Sequence, residues 1–388
     1  MDRIAIIGRG MIGSAAARHL AGMTDGIVLV GPDEPDEYAA HEGVFASHYD
    51  EGRMTRISDA DPAWSITAKR SIERYGEIEA ESGIRFFTKS GYLGISTAGS
   101  DYLDRAKETG LKHGADLTSL DADGIRGRYP FLSVADGTRG LQEVGDAGHV
   151  SPRAMVAAQT EAARRRGAEI VQRQVAALRP VPGGVEIETD DGSVRQAERV
   201  LVATGGFTDA CGLSPEDLKL RVFGRTVLLA RIEGALTEHF AAMPTMGHAE
   251  SGAYLLPPIR YPDGHSYMKI GIGSVEDPAL RTLEDMSNWF KSDGIEENRT
   301  RFRSFLLDLM PRLVECRSWQ SKSCAVTWTA TGLPYIDFVQ DDRIAVAVGG
   351  NGKGAKSSDD WGWIAAHVVS GTEFEHPVGR DRLRIPAR

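Results

Sequence analysis

The sequence predicts an α/β fold, α+β overall, that combines a discontinuous Rossmann-like nucleotide-binding domain with an inserted domain built on an antiparallel sheet. Three observations support this prediction. A glycine-rich turn joins a strand to a helix near the N-terminus, similar strand and helix signals recur in two later parts of the chain, and alternating strands occupy the segments between them. We expect the nucleotide-binding domain to comprise residues 1–85, 146–218 and 318–388, and the inserted domain residues 86–145 and 219–317.

The first unit has the form of a dinucleotide-binding fingerprint. Strand, turn and helix follow one another directly, as Ile4-Ala5-Ile6-Ile7, Gly8-Arg9-Gly10-Met11-Ile12-Gly13 and Ser14-Ala15-Ala16-Ala17-Arg18-His19-Leu20. Gly8 permits the tight turn, Gly10 lets a pyrophosphate approach the backbone, and Gly13 lets the helix pack closely on the strand. The anion binds the free N–H groups at the start of the helix, where Met11 and Ile12 lie. This context favours nucleotide binding over a purely structural glycine turn.

The end of the second strand, at residues 27–30, departs from the fingerprint. An acidic residue roughly 20 positions after the turn normally binds the ribose hydroxyls, whereas here Gly31 follows the strand. Asp33 and Glu34 come shortly after it. Either carboxylate reaches the ribose if the strand end bends, or both belong to a turn, and the sequence leaves these two interpretations open.

The composition excludes several classes of function. The chain has 388 residues and a formal net charge of −10, with no long basic run, which argues against nucleic acid as a partner. We find no segment apolar enough to span a bilayer and no secretory signal pattern at the start. The three cysteines Cys211, Cys316 and Cys324 are too scattered for a disulfide framework or a zinc cluster. We therefore expect a cytoplasmic protein without a metal site.

The later strand and helix signals complete the predicted domains. In the middle part we predict a helix at residues 154–167, which ends in arginines and a glycine, and strands at 170–171, 185–188 and 200–203. In the C-terminal part, a strand at 344–348 precedes the loop Gly349-Gly350-Asn351-Gly352-Lys353-Gly354 and a further helix. The segments in between are expected to contain strands at 225–231 and 266–272 and a helix at 296–309.

Several other motifs follow the fingerprint in a fixed order. They are Ala46-Ser47-His48-Tyr49-Asp50-Glu51-Gly52-Arg53-Met54-Thr55-Arg56, Arg128-Tyr129-Pro130, Gly148-His149-Val150, Ala203-Thr204-Gly205-Gly206, Lys322-Ser323-Cys324-Ala325-Val326-Thr327-Trp328-Thr329 and Gly349 to Lys356. In this order, over almost the whole chain, they resemble the FAD-dependent amine oxidases of the D-amino-acid oxidase superfamily, in particular the monomeric sarcosine oxidase and N-methyltryptophan oxidase group.

The resemblance implies both the cofactor and the reaction. The nucleotide-binding domain would bind FAD, and the inserted domain would bind the substrate. The substrate would be a secondary amine, namely an N-substituted amino acid such as an N-methyl or N-carboxymethyl amino acid. Its oxidation and the hydrolysis of the imine would give an aldehyde and a primary amine, while oxygen would be reduced to hydrogen peroxide. The flavin supplies the redox chemistry, and the protein binds and orients it.

The resemblance also implies the cofactor contacts. Cys324 aligns with a cysteine that bonds covalently to the 8α-methyl group of the flavin, although Trp328 departs from the family pattern nearby and an inert cysteine is the alternative. Val175 would contact the adenine through its backbone. The full expected set is Gly8, Gly10, Met11, Ile12, Gly13, Asp33, Ser47, His48, Arg53, Val175, Ala203, Thr204, Gly205, Cys324, Gly350, Gly352, Lys353, Gly354 and Lys356.

A second set of residues is expected to act on the reactants. Lys269 matches the lysine that activates oxygen, since a fixed ammonium in a dry site stabilises the charge that forms on oxygen. The alternative is an outward-facing lysine on a strand. Arg56 and Lys356 match the pair that binds the substrate carboxylate, with Arg53 nearer the flavin. Ordinary solvated charge is the alternative for these three residues.

Two positions bear on which amine is oxidised. Lys353 stands where relatives tend to carry a histidine, and an additional cation there suggests a substrate with more than one carboxylate, such as iminodiacetate. Lys353 equally fits a side chain that points to solvent. Gly273 stands where relatives carry a substrate-contacting histidine, which argues against sarcosine itself. The sequence does not fix the amine's substituents.

Other functions remain open at this stage. The same fold suits a dehydrogenase that passes electrons to an acceptor other than oxygen, or a flavin-binding subunit without turnover of its own. An NAD-dependent dehydrogenase is disfavoured by the later motifs. We expect a small-molecule amine and oxygen as partners, no nucleic acid or membrane, and a monomer or small homo-oligomer.

Overall fold

The computed structural model describes residues 1–339 and 341–386. In chain order, its strands are β1 (Asp2–Ile7), β2 (Ile27–Val30), β3 (Arg53–Thr55), β4 (Phe87–Thr88), β5 (Tyr92–Ser96), β6 (Leu117–Leu120), β7 (Arg139–Glu143), β8 (Gly148–Val150), β9 (Glu169–Val171), β10 (Val175–Val181), β11 (Gly184–Thr189), β12 (Val194–Val202), β13 (Arg221–Arg231), β14 (Thr245–His248), β15 (Tyr254–Arg260), β16 (Ser266–Gly271), β17 (Trp319–Trp328), β18 (Tyr335–Phe338) and β19 (Ile344–Val348). Its helices are α1 (Met11–Ala21), α2 (Pro62–Ser82), α3 (Tyr102–Lys112), α4 (Ala122–Arg128), α5 (Pro152–Arg165), α6 (Phe207–Ala210), α7 (Ala235–His239), α8 (Leu283–Phe290), α9 (Glu296–Leu309) and α10 (Gly354–Ser370).

The first sheet gathers strands from three separate parts of the chain. Neighbouring strands in the order β9-β2-β1-β12-β19 are parallel, and β10, β11 and β18 extend the sheet by antiparallel pairing. This is the discontinuous Rossmann-like arrangement that the sequence predicts, and the predicted fold class is confirmed. Ile7 pairs with both Val30 and Val202, so the carboxyl ends of β1, β2 and β12 lie together at one edge.

Two helices with small residues pack closely over this sheet. A Cβ atom at Gly362 of α10 would lie 2.5 Å from the Cβ atom of Ala15 in α1, which means that only glycine allows this approach. A buried ionic group fixes the same contact, because Arg18 of α1 binds Asp359 of α10 at 2.9 Å. Both side chains are almost completely buried. Buried charges are tolerated when they are paired in this way.

The second sheet follows the order β17-β13-β16-β15-β14-β5-β7-β6. Its strands pair antiparallel, except that β14 and β5 are parallel. The predicted strands at 225–231 and 266–272 belong to it and are observed as β13 and β16. The predicted helix at 296–309 is α9, with the same bounds.

One strand lies on the other side of the expected domain boundary at residue 318. Strand β17 pairs with β13 over the register from Arg221 opposite Trp328 to Ala230 opposite Trp319, and so belongs to the second sheet. The sequence analysis assigns residues 318–388 to the nucleotide-binding domain, whereas the strand pairing puts residues 319–328 in the second sheet. The partner of β17 is determined by this ten-residue antiparallel ladder, and the sequence of β17 alone does not specify it. The remaining domain bounds stay predictions.

A small sheet in the order β3-β8-β4 joins the two parts of the molecule. Strand β3 contacts both α10, which packs on the first sheet, and β15 of the second sheet. The segment that contains Arg53 is therefore held at the place where the two parts meet. Among the described residues, no helix combines the length and the apolar character that crossing a membrane requires. Residues 1–339 and 341–386 also contain no group of three or more histidine, cysteine, aspartate or glutamate side chains placed to hold a metal ion.

Candidate active site

A cavity of about 810 Å³ lies between the carboxyl edge of the first sheet and one face of the second. Its wall includes most of the residues expected to bind a cofactor or substrate, namely Gly8, Gly10, Met11, Ile12, Ser47, His48, Arg53, Arg56, Val175, Ala203, Thr204, Gly205, Cys324, Gly350, Gly352, Lys353, Gly354 and Lys356. The expected residues Gly13, Asp33 and Lys269 lie outside the lining of this cavity. Tertiary structure thus brings together residues that are up to 348 positions apart in the sequence, as for Gly8 and Lys356.

The fingerprint glycines have steric reasons that match their expected roles. Gly8 has φ +107°, and a Cβ atom there would lie 2.6 Å from the carbonyl oxygen of Ala203. A Cβ atom at Gly13 would lie 1.9 Å from the carbonyl oxygen of Gly8, so Gly13 serves helix packing and does not face the cavity. Helix α1 begins after Gly10 with no side-chain cap and no acidic residue in its first turn. Its free N–H groups therefore remain available for an anion.

The two carboxylates after β2 are held by arginines. Asp33 forms an ion pair with Arg9, and Glu34 accepts from Arg153 at 2.6 Å. Neither carboxylate lines the cavity, so this placement supports turn carboxylates and does not support the expected contact between Asp33 and a ribose. The glycine that breaks the fingerprint also has a steric reason, because a Cβ atom at Gly31 would lie 2.7 Å from the backbone nitrogen of Arg9.

The C-terminal glycine loop forms the opposite wall. Gly349 and Gly352 have φ values of +96° and +70°, and Asn351 between them has φ +47°. The side chain of Asn351 stabilises this strained residue, since its Oδ1 accepts from the Thr329 N–H at 3.0 Å and its Nδ2 donates to Gly349 at 2.7 Å. Helix α10 then starts at Gly354 without a side-chain cap. A second helix N-terminus therefore opens onto the cavity.

One face of the second sheet supplies the far wall. Cys324 pairs with Arg225 of β13, and Lys269 pairs with Leu229 of the same strand. Arg225 and Leu229 are four residues apart, so they lie on the same face of β13. Since directly paired residues and alternate residues share a face, the side chains of Cys324, Arg225 and Lys269 lie on the same face. Tyr254, opposite Gly271, also belongs to it. Cys324, Arg225 and Tyr254 line the cavity.

Arg53 contacts both Cys324 and the Asp50 carboxylate, which also binds Lys269. Its Nη2 donates to the Cys324 sulfur at 3.4 Å and to the Ser47 carbonyl at 2.9 Å, and its Nη1 binds the Asp50 carboxylate. Cys324 is a free thiol and half-buried. It therefore has the access and the cationic neighbour that a reactive cysteine requires.

Lys269 is buried, with 1% of its surface exposed. The interpretation as an outward-facing lysine is therefore wrong. Its ammonium donates to the Asp50 carboxylate and to the Gly52 carbonyl. Burial and, after it, the charge of Arg53 lower the pKa of Lys269 well below its ordinary value. No sequence pattern indicates that Asp50 pairs with both Lys269 and Arg53.

The expected carboxylate-binding cations surround a carboxylate of the chain itself. Asp59 is fully buried, and its two oxygens accept from Lys356 at 2.7 Å and from Lys353 at 2.8 Å. Arg56 lies 3.6 Å from it. Burial alone would raise the pKa of Asp59, but the three cations hold it well below its ordinary value. The sequence analysis missed Asp59, for which the only signal is a carboxylate three positions after Arg56.

Arg56 is fixed by contacts on several sides. Its Nη2 donates to the Tyr102 hydroxyl at 3.0 Å, its guanidinium stacks 4.5 Å from the centre of the Tyr92 ring, and Nη1 donates to the Ser58 carbonyl. A guanidinium held this firmly loses little entropy when it binds a carboxylate. Burial lowers the pKa of Lys356 to about 8, although the Asp59 carboxylate opposes the shift. Lys353, by contrast, is partly exposed, and its ammonium binds the Asp59 carboxylate. It is therefore neither unpaired nor fully solvated.

His48 lies beside the fingerprint, with Nδ1 4.0 Å from where a Cβ atom of Gly10 would be. Burial lowers the pKa of His48 to about 3, and neighbouring arginines support this shift. The imidazole therefore stays neutral at physiological pH, and His48 is a weak proton acceptor in the free protein.

A comparison with protein families agrees with this geometry. The model of the family described as FAD dependent oxidoreductase matches residues 3–368. The chain belongs to the FAD-dependent oxidoreductase family. The monomeric sarcosine oxidase of Bacillus sp. (strain B-0618) is 24% identical over 99% of this chain and 96% of its own length. The N-methyl-L-tryptophan oxidase of Escherichia coli O81 (strain ED1a) is 27% identical over 52% of each chain. Among solved structures, the fructosyl amine:oxygen oxidoreductase (Amadoriase I) of Aspergillus fumigatus is 18% identical with a TM-score of 0.75, covering 99% of this chain and 89% of that one.

As a FAD-dependent oxidoreductase, the chain needs a site for a dinucleotide and a flat ring system, and the cavity fits both. The uncapped start of α1 and the glycines before it suit the pyrophosphate. The second uncapped helix start, at α10, and the open loop around Gly352 suit the polar edge of a ring system. The cavity volume is in the range of small-molecule and cofactor sites. Which individual residues contact FAD stays a prediction.

The remaining chemistry of this FAD-dependent oxidoreductase depends on what its own residues do. FAD, when bound, supplies the two-electron redox chemistry. Arg56 and Lys356 both line the cavity wall. Asp59 holds Lys356 in position and raises its pKa against the effect of burial. Asp50 places the buried ammonium of Lys269 next to Arg53.

Proposed function

We propose that the protein is a FAD-dependent oxidase of a secondary amine, specifically of an N-substituted amino acid. In the overall reaction the amine, one O₂ and one H₂O give a primary amine, an aldehyde and one H₂O₂. The observation that supports this most directly is the Arg56 and Lys356 pair on the wall of the cofactor cavity, where cations outnumber carboxylates. Two relatives, a monomeric sarcosine oxidase and an N-methyl-L-tryptophan oxidase, support the same class of substrate.

We propose the following roles for the residues. Arg56 and Lys356 bind the substrate carboxylate, since a guanidinium fork and an ammonium together match its geometry. Lys269 activates oxygen through its charge, and Arg53 lies between Lys269 and the cavity. Cys324 is the attachment point of a covalent flavin. Lys353 acts mainly on Asp59, because its ammonium is already bound to that carboxylate.

One experiment tests the reaction as a whole. The purified holoenzyme is mixed without oxygen with N-methyl and N-carboxymethyl amino acids while the flavin absorption is recorded. We expect at least one amine to bleach the flavin, and air to restore the colour with release of peroxide and aldehyde. If no amine bleaches the flavin, the oxidase proposal is wrong and a flavin-binding subunit without turnover is favoured.

A second candidate is a dehydrogenase that uses an acceptor other than oxygen. It is favoured by one observation, namely that the Lys269 ammonium is paired with Asp50 and lies behind the cavity wall. The same experiment separates the two candidates. Bleached enzyme that recovers its colour with an artificial electron acceptor, and hardly at all in air, supports the dehydrogenase.

The covalent attachment gives a first prediction about a single residue. After precipitation with acid, the wild-type protein is expected to keep its yellow colour, and Cys324→Ser to release it, because only the Cys324 thiol has a guanidinium donor at 3.4 Å. Cys211→Ser is the matched control, since Cys211 also lines the cavity while burial raises the pKa of its thiol. Colour that leaves the wild-type pellet, or that stays in the Cys324→Ser pellet, contradicts the assignment.

The titration of Lys356 gives a prediction about pH. Its pKa of about 8 means that it is charged below this pH and neutral above it. A carboxylate inhibitor without an amine, such as acetate, should therefore bind more weakly as the pH rises above about 8. The expected increase of its inhibition constant is up to about tenfold per pH unit.

Two variants make this pH prediction specific. Lys356→Met is expected to bind acetate weakly and to lose the pH dependence, because the titrating group is gone. Asp59→Asn is expected to move the dependence to lower pH, because the Asp59 carboxylate raises the pKa of Lys356. A wild-type inhibition constant that stays constant from neutral pH to well above 8 would rule out Lys356 as the titrating group.

A further inference from the structure

Arg225 projects into the cavity from the middle of β13, next to Cys324 on β17. Its Nη1 is occupied, because it binds the Asp277 carboxylate and the Gly224 carbonyl. The Nε and Nη2 atoms have no hydrogen-bond acceptor among residues 1–339 and 341–386. These two atoms form one edge of the guanidinium, which is the edge that binds a carboxylate through two parallel hydrogen bonds.

The anchor of Arg225 faces away from the cavity. Asp277 is nearly buried and does not line the cavity. Its oxygens also accept from the Ser274 N–H at 2.7 Å and from Asn298 Nδ2 at 3.3 Å. Asp277 therefore fixes the guanidinium from behind and leaves its free edge available.

Gly273 keeps the space in front of that edge open. A Cβ atom at Gly273 would lie 3.6 Å from Nη2 and 3.8 Å from Nε of Arg225, and the three atoms nearest to it all belong to the Arg225 guanidinium. These are ordinary contact distances, and Gly273 does not have a positive φ. Neither the backbone nor packing thus requires glycine here. The consequence of glycine is a cavity wall in which the side chain of Arg225 is uncovered.

We propose that Arg225 is a specificity-determining residue that binds a second carboxylate, located on the nitrogen substituent of the amine. This inference rests on the proposed function and deepens it. Lys353 is the alternative residue for binding a second carboxylate, but it is less suited because its ammonium already binds Asp59 at 2.8 Å. Arg225 offers a bidentate edge, whereas a lysine offers only a point charge.

The strand order indicates that this substrate is extended. Arg56 stacks on Tyr92 of β5, and β14, β15 and β16 separate β5 from β13. Neighbouring strands are about 4.8 Å apart, so the four steps from β5 to β13 amount to roughly 19 Å. The second carboxylate therefore lies several atoms away from the first, as in an N-(carboxyalkyl) amino acid with a chain longer than that of iminodiacetate.

The test compares acids with matched amides that have the same shape and no charge. N-(carboxymethyl)-, N-(2-carboxyethyl)- and N-(3-carboxypropyl)glycine are compared with the carboxamides in which only the carboxylate of the nitrogen substituent is replaced. Each compound is titrated without oxygen into holoenzyme whose flavin has already been reduced with dithionite, so that no amine is oxidised, and dissociation constants are measured by calorimetry. We expect the wild-type protein to prefer the longer acids over their amides. In Arg225→Gln/Asp277→Asn this preference should fall by about 30-fold, and the double change leaves no buried carboxylate without its partner.

A second variant tests the same edge without touching the ion pair. Gly273→Leu places a side chain in front of the guanidinium and should also abolish the preference for acids over amides. A wild-type protein with no such preference, or a preference that survives in both folded variants, overturns the inference. Because binding is measured without turnover, a preference that depends on Arg225 stands even if no amine bleaches the flavin. Bleaching together with an unchanged preference leaves the proposed function intact and rejects the role of Arg225.

Discussion

Replacing Lys269 by methionine is expected to slow the reaction with oxygen by on the order of 100-fold, because a fixed charge in a dry site stabilises the charge that develops on oxygen. Methionine fills a similar volume without the charge. The Asp50 carboxylate stays paired in this variant, since Arg53 and the Tyr261 hydroxyl still bind it. The loss of rate would then report on the ammonium itself and not on a collapsed site.

Separate measurement of the two half-reactions checks this prediction. Enzyme reduced with dithionite is mixed with oxygenated buffer to give the oxygen half-reaction, and oxidised enzyme is mixed with amine under anaerobic conditions to give the other. Lys269→Met should affect the oxygen half-reaction far more strongly. Lys322→Met is the matched control, since Lys322 is an exposed lysine on β17 of the same sheet, two strands away from β16. Equal slowing of both half-reactions would show that Lys269 is only structural.

Replacing Arg56 by glutamine is expected to lower kcat/KM for carboxylate-bearing amines by about 100-fold, mainly through KM, since a buried hydrogen-bonded charge pair costs several kcal/mol to truncate. Tyr102 and Tyr92 fix the plane of the Arg56 guanidinium, so a side chain of another shape does not present its donors in the same direction. Arg56→Lys should recover only part of the loss, because an ammonium retains the charge without the fork.

Steady-state kinetics with an amino acid and with its neutral amide separates carboxylate binding from general damage. Arg56→Gln should lose the preference for the acid, whereas the exposed Arg85→Gln should behave like the wild type. If KM for the acid does not change in Arg56→Gln, Arg56 does not bind the substrate carboxylate. Circular dichroism of each variant shows whether the fold is retained.

Local sequence was sufficient for the cofactor fingerprint. Gly8 and Gly13 were predicted from spacing alone, and the structure gives each a steric reason. The contact that requires Gly13 lies within the strand–turn–helix unit, at the Gly8 carbonyl, whereas the contact that requires Gly8 is made with Ala203 after β12. The parallel strands around β1 were also predictable, because continuous apolar runs such as Ile27–Val30 are typical of strands buried on both faces.

The sequence was less informative wherever a polar residue depends on a distant partner. Asp33 is the clearest example, since the sequence left a ribose contact and a turn carboxylate both open, while the structure pairs it with Arg9 outside the cavity. Strand β17 is another, because its assignment to the second sheet depends on the ladder with β13. In both cases the deciding contact is made with a segment that the local pattern does not specify.

The sequence by itself determined the family, the FAD fingerprint and the set of cations available to a substrate, because these depend on residue type and on short spacings. Only the tertiary structure decided how those cations are used. It paired Lys269 with Asp50 and Lys356 with Asp59, across 219 and 297 positions, and it left the outer edge of Arg225 uncovered in front of Gly273. The physical reason is that the effect of a buried charge depends on its neighbours, and strand register and helix packing determine those neighbours.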